Sequence, residues 1–215
     1  MRERKESLMI KNVWLAFSRL FSGITLPYSL EDLRGKILLH FSDTPSTFYG
    51  GMRHLIRLLQ PLCVVHTGDF ADDIKLELRP GELSRYRMKL SELAGVLAPV
   101  EKRHIVLVTG NHDHEGSVRE IFQGSTVFAG NGRIDLYGLD LNLSHAPKDL
   151  QKPLGRFNLF GHEPVMHRNC KEGMPLLLNG LYSMHVVNIK TGEVFYLPYP
   201  GYVDDARLNR RKIGL

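Results

Sequence analysis

Cysteine is scarce. The 215-residue chain has two, Cys63 and Cys170, too few and too far apart for the disulfide framework of a small secreted domain. That usage suits a reducing compartment, and a cytoplasmic location is the expectation. No apolar run approaches the roughly 20 residues a membrane-spanning helix needs. No arginine–lysine block and no interleaving of basic with aromatic residues marks the body, so nucleic acid is not indicated as a partner. The formal charge of +5 favours phosphate-bearing substrates only weakly. Internal repeats and low-complexity segments are absent too, which excludes solenoids and disordered arrays. With 43% hydrophobic residues, the chain can bury one sizeable core.

What the chain does have is a series of polar fragments, each at the end of an apolar run. Residues 36–42 lead into Asp43, and residues 62–67 into Gly68-Asp69-Phe70-Ala71-Asp72. Residues 104–109 lead into Gly110-Asn111-His112-Asp113. Later runs end in Ser144-His145 and in Phe160-Gly161-His162-Glu163. Short runs rich in leucine and β-branched residues read as buried strands, with helical stretches between the first of them. Polar groups at the carboxyl ends of such strands converge on one edge of a sheet, where α/β folds place their ligands. The glycines let the backbone turn sharply and come close to the site. Asp43, Asp69, Asn111, His145 and His162 are all oxygen or imidazole donors. A divalent ion accepts such a mixture, and a bridging carboxylate can hold two ions about 3.5–4 Å apart. His112 could donate a proton to a leaving oxygen, with Asp113 or another acid orienting it.

These fragments resemble the calcineurin-like metallophosphoesterases. That family's pattern is Asp-x-His, Gly-Asp-x-x-Asp, Gly-Asn-His-Asp/Glu, a lone His, then Gly-His-x-His. It maps in order onto Asp43, Gly68–Asp72, Gly110–Asp113, His145 and Gly161-His162, across residues 36–197. The resemblance implies an α/β fold: a four-layer αββα sandwich of two packed mixed β-sheets flanked by helices, without a cap domain. It implies one ion held by Asp69, Asn111, His145 and His162, and a second held by Asp43 and Asp69, with Asp72 in support. The cofactor implied is one or two divalent ions, with Mn²⁺ favoured and Fe, Zn, Ni or Mg compatible. The reaction implied is hydrolysis of phosphomonoesters or phosphodiesters by a metal-bound hydroxide, on a phosphoester small molecule or nucleotide.

The departures fall together. Pro45 and Pro164 stand where the pattern has its two other histidines, and proline offers no side-chain ligand. Three consequences are open. A hard ion could bind through Asp43, Asp69, water and substrate. His114, Glu163, His167 or Cys170 could substitute. Or the chain could be a catalytically weak or inactive scaffold on the same fold. The retained His112 favours the enzyme.

Several residues have plainer readings. Asp43 could cap a helix starting near Pro45-Ser46-Thr47, and Asp72 and Asp73 could start another. His40 and His66 read as satisfied, partly buried histidines; His54, His104 and His185 as structural or solvent-facing. Cys63 reads as an inert core residue, and residues 207–212 as a solvated basic tail. Residues 1–35 are expected to be an amphipathic helical extension before the domain at 36–215. Met9, Ile10, Val13, Trp14, Phe17, Leu20, Phe21 and Ile24 recur at three- and four-residue steps, predicting a helix over 7–22. Glu3, Glu6, Lys11 and Arg19 argue against a secretory signal. This helix would pack on the body or on a second subunit of a homodimer, or contact a membrane surface. Further helices are expected at 51–59 and 81–97, and after Gly116 the chain is expected to be strand-rich. Two strands around Lys190-Thr191-Gly192 read as a hairpin.

Overall fold

Leu38 and Leu39 are adjacent, fully buried, and belong to two different apolar cores. Val64 and Val65 divide in the same way. Successive strand side chains point to opposite faces, so a strand covered on both sides must be apolar at nearly every position. That is the physical origin of the unbroken runs in the sequence. The computed structural model describes residues 28–164 and 173–203. The proposed helix at 7–22, the basic segment at 207–212, His167 and Cys170 lie outside these residues.

The larger sheet has six strands in the order β10-β9-β1-β2-β3-β4. Strands β1 (Ile37–Phe41), β2 (Cys63–His66), β3 (Ile105–Thr109) and β4 (Thr126–Ala129) are parallel. The hairpin of β9 (Ser183–Asn188) and β10 (Val194–Pro198) adds antiparallel to β1, pairing Leu39 with Val186 and His40 with His185. Helices α1 (Tyr49–Leu59), α2 (Leu83–Leu97) and α3 (Glu115–Ile121) connect the parallel strands. They bury Leu55, Leu59, Leu90, Leu93 and Val118 against Leu39, Val64 and Leu107. Helix α3 lies at the start of the stretch expected to be strand-rich, ahead of its first strand. It is short, contains Gly116, and is held at its start by the His114 ring, which accepts the Ser117 N–H.

The second sheet runs β5 (Asn131–Leu136), β6 (Leu139–Ser144), β7 (Phe157–Phe160), β8 (Leu176–Asn179) in that order. β5 and β6 form a hairpin closed by Tyr137 and Gly138, both at positive φ, the geometry of a tight hairpin turn. β6, β7 and β8 are parallel. Leu141, Leu143, Phe157 and Leu159 pack on Leu38, Val65, Val106 and Val108 of the larger sheet. Two mixed sheets flanked by helices are thus the architecture, as expected. The carboxyl ends of β1, β2, β3, β6 and β7 all deliver polar residues, and those residues meet.

Candidate metal centre

Where β2 ends, Gly68 has a φ of 102° and Asp69 a φ of 54°. Asp43 after β1 and His162 after β7 also have positive φ, at 48° and 63°. Non-glycine residues rarely adopt this conformation, and their gathering at one place marks a functional constraint on the backbone. A Cβ on Gly68 would collide with His145 Nδ1 and come within 2.8 Å of Gly110 N. Gly161 is similarly tight against Ser42 and Asp43. The loops approach this closely because these positions lack side chains.

Asp69, His145 and His162 place one ligand atom each within 4.8 Å of one another. Asp69 and His145 are buried, while His162 is exposed, so the cluster opens on one side. His145 Nδ1 lies 2.8 Å from the Thr67 carbonyl, which can only accept; Nδ1 therefore carries the proton. In the neutral ring Nε2 then carries the lone pair, 3.0 Å from Asn111 Oδ1 and 3.6 Å from Asp69 Oδ2. The Asn111 amide is oriented by its other end, since Nδ2 donates to Glu77 Oε2 at 2.5 Å. Lone-pair atoms thus converge with a carboxylate, an arrangement that calls for a cation between them. A carboxylate, an amide oxygen and two imidazoles fit a divalent transition ion. Burial and the neighbouring His145 hold the His162 imidazole below its ordinary value, which favours the deprotonated form a metal requires.

The Asp43 carboxylate sits beside the cluster. Its Oδ2 accepts from Ser42 Oγ at 2.7 Å and from His162 N–H at 3.0 Å. It does not cap the turn at Ser46–Phe48: Asp73 does, accepting from Ser46 N and Oγ at 2.7 and 2.8 Å. Pro45 is buried, and its carbonyl accepts from Phe48 N. The Pro164 carbonyl accepts from the Tyr182 hydroxyl. His114 is engaged in capping α3. Glu163 offers its backbone carbonyl to Asn179 Nδ2. Asp72 is buried, with its N–H on the Thr44 carbonyl.

His112 is buried beside the cluster, its N–H on Asp69 Oδ1 at 3.1 Å. Burial first, then the Lys75 charge, pulls its imidazole below the ordinary value, while Glu77 opposes them. The acid near this ring is Glu77, with Oε2 3.6 Å from Nδ1. Asp113, expected to orient it, is committed elsewhere. Its Oδ2 accepts from Asp69 N and Gly110 N, each at 2.7 Å, and its Oδ1 from Phe70 N at 3.0 Å and Tyr86 Oη at 2.9 Å. Asp113 thus clamps the β2 and β3 loops together.

Behind the site lies a column of histidines. His40 and His185 face each other, Nδ1 to Nδ1, at 3.0 Å, and His40 Nε2 reaches Thr67 Oγ1 at 2.9 Å. Ser183 Oγ closes the column on His185 Nε2 at 3.1 Å. His66 bonds Thr44 Oγ1 at 2.8 Å. Both His40 and His66 are fully buried, more so than the sequence suggests. No sequence signal marks Glu77, which stands outside every motif.

The sequence pattern of the family described as calcineurin-like phosphoesterase matches residues 37–208. No curated protein matches the chain. Among solved structures, it is similar to Yfce, a phosphoesterase from E. coli, at 16% identity and a TM-score of 0.44. That likeness covers 76% of this chain and 99% of that one. Among the described residues no helix is long and apolar enough to cross a membrane. The matched span runs through the whole set of polar strand ends, from the one after β1 to the one after β7. The chain belongs to the calcineurin-like phosphoesterase family.

Proposed function

We propose that this chain is a metal-dependent hydrolase of phosphomonoesters or phosphodiesters, with Asp69, Asn111, His145 and His162 holding a divalent ion, Mn²⁺ being the first to test. The observation that carries the reading is Asn111 Oδ1 standing 3.0 Å from His145 Nε2 while both groups spend their protons elsewhere. Such an ion, when bound, lowers the pKa of a coordinated water and offsets charge on the phosphoryl oxygens. The chain's own residues supply the rest. Asn111 and His162 form the exposed side, open to a small phosphoester or a nucleotide. Lys75 places positive charge at His112 against Glu77, and Lys148 at His162 against Asp43 and Glu163. His112 is held mostly neutral at pH 7, so it acts as a hydrogen-bonding and proton-transfer group beside the leaving oxygen rather than as a fixed cation. Asp113 keeps the two loops in register so that Asp69 and Asn111 stay within reach of His145.

The test uses protein purified without chelator, metal analysis by mass spectrometry, and hydrolysis of an activated phosphodiester with added Mn²⁺. His145→Ala is expected to lose both the ion and the turnover. His112→Ala is expected to keep the ion and lose roughly 10²–10⁴-fold in turnover. Bound ion with no turnover under any divalent metal would overturn the hydrolase and favour a scaffold on the same fold.

A further inference from the structure

Asn111 has two ways to sit. Its amide is exposed, and nothing in its own backbone decides which end faces His145. With Oδ1 toward Nε2, as found, two acceptors oppose each other at 3.0 Å when the ring is neutral, the form that binds a metal. Turned over, Nδ2 would donate to that same nitrogen and make an ordinary hydrogen bond. The turned form is the better one for a protein without metal, and it blocks the cation position with a donor. Something must hold the amide against it.

Two groups face the amide nitrogen: His112 Nε2 at 3.4 Å and, much closer, Glu77. Its Oε2 takes the Asn111 Nδ2 proton at 2.5 Å, a short contact to a charged acceptor of the stronger kind. The same oxygen lies 3.6 Å from His112 Nδ1. Its backbone is anchored: Ile74 and Leu76, just before it, are buried, and Arg79 N–H bonds the Lys75 carbonyl at 2.8 Å. A half-exposed carboxylate on an anchored loop needs no rearrangement when metal arrives.

Resting on the phosphoesterase reading of this site, we propose that Glu77 is a positioning residue that locks the Asn111 amide with its oxygen toward the ion. It touches neither ion nor substrate. Ligand orientation from the surrounding shell is worth about 10–100-fold in metal affinity, and Glu77 falls in that class.

The experiment is competitive titration of Mn²⁺ and Zn²⁺ against a chelating indicator, using the full chain, with thermal melts to confirm folding. Glu77→Ala is expected to weaken binding at least about tenfold. Glu77→Gln keeps a carbonyl oxygen for the Asn111 amide and is expected to stay within roughly threefold of the natural protein, because a neutral acceptor still holds the amide. In an Asn111→Ala background, Glu77→Ala is expected to add nothing, since the two changes remove one interaction. Unchanged affinity in Glu77→Ala would overturn the inference. So would Glu77→Gln as weak as Glu77→Ala, which would make the effect one of charge. Additive losses in the double variant would overturn it as well. If the natural protein binds no divalent ion, the phosphoesterase reading itself fails; if it binds and Glu77→Ala binds equally, only the role of Glu77 fails.

Discussion

Asp113→Asn separates holding the loops from taking part in chemistry. The carboxylate accepts four hydrogen bonds: two at Oδ2 from Asp69 N and Gly110 N, and two at Oδ1 from Phe70 N and Tyr86 Oη. An asparagine keeps one oxygen and turns an NH₂ toward the other pair, so two contacts become donor against donor. Hydrogen bonds to a charged acceptor contribute about 1.5–3 kcal/mol each, and stranding a buried donor costs a further 1–3. An opposing effect reduces the sum. Burial pushes the Asp113 carboxyl pKa up, a sign that the buried charge is itself costly, and the amide removes that cost. The net expectation is a loss of about 3 kcal/mol, near the value for breaking a buried charged network. For a domain of this size that is a fall in Tm of roughly 6–12 °C. Circular-dichroism melts measure it, with metal content and turnover taken at a temperature where the variant is still folded. A Tm within about 2 °C of the natural protein, with turnover lost and the ion retained, would refute the clamp and restore Asp113 to the chemistry.

Two other outcomes follow from the geometry. Beside Asp43, among the described residues, Pro45 and Pro164 bring backbone carbonyls where histidines would bring imidazoles; equilibrium dialysis is expected to give one tightly held Zn²⁺ in the natural protein and a second in Pro45→His with Pro164→His, and unchanged stoichiometry would sink that account. His40 and His185 are held below their ordinary values by burial, His185 at about 3, with each other's charge adding to the effect at His40. Between the folded and unfolded values the unfolded chain binds more protons, so stability is complete above about pH 6.5 and declines by about 1.4 kcal/mol per pH unit per group below it. Urea unfolding from pH 7.5 to 5 reads this slope, and a flat profile would contradict the buried pair.

The strands were legible because most of them are buried. β1, β2 and β3 are covered by helices on one face and by the second sheet on the other, so nearly every position is apolar and the run stands out. Helix α3 was not legible: it has one deeply buried apolar side chain, Val118, and its start depends on a histidine serving as cap. The candidate ligand residues are legible because glycine and acid sit together at strand ends. Adjacency in sequence suggests Asp113 as a partner of His112; in the fold its partners come from residues 69, 70 and 86 as well as from Gly110.

By itself the sequence determined the family, the strand runs and which residues carry lone pairs, because these depend on residue type and on neighbours a few positions away. Tertiary structure alone decided what those residues do. Glu77 reaches Asn111 across 34 positions and His40 meets His185 across 145. The direction of an amide, the proton on His145 and the commitment of Asp113 are settled by which donors and acceptors the two sheets bring face to face, and no local pattern records that.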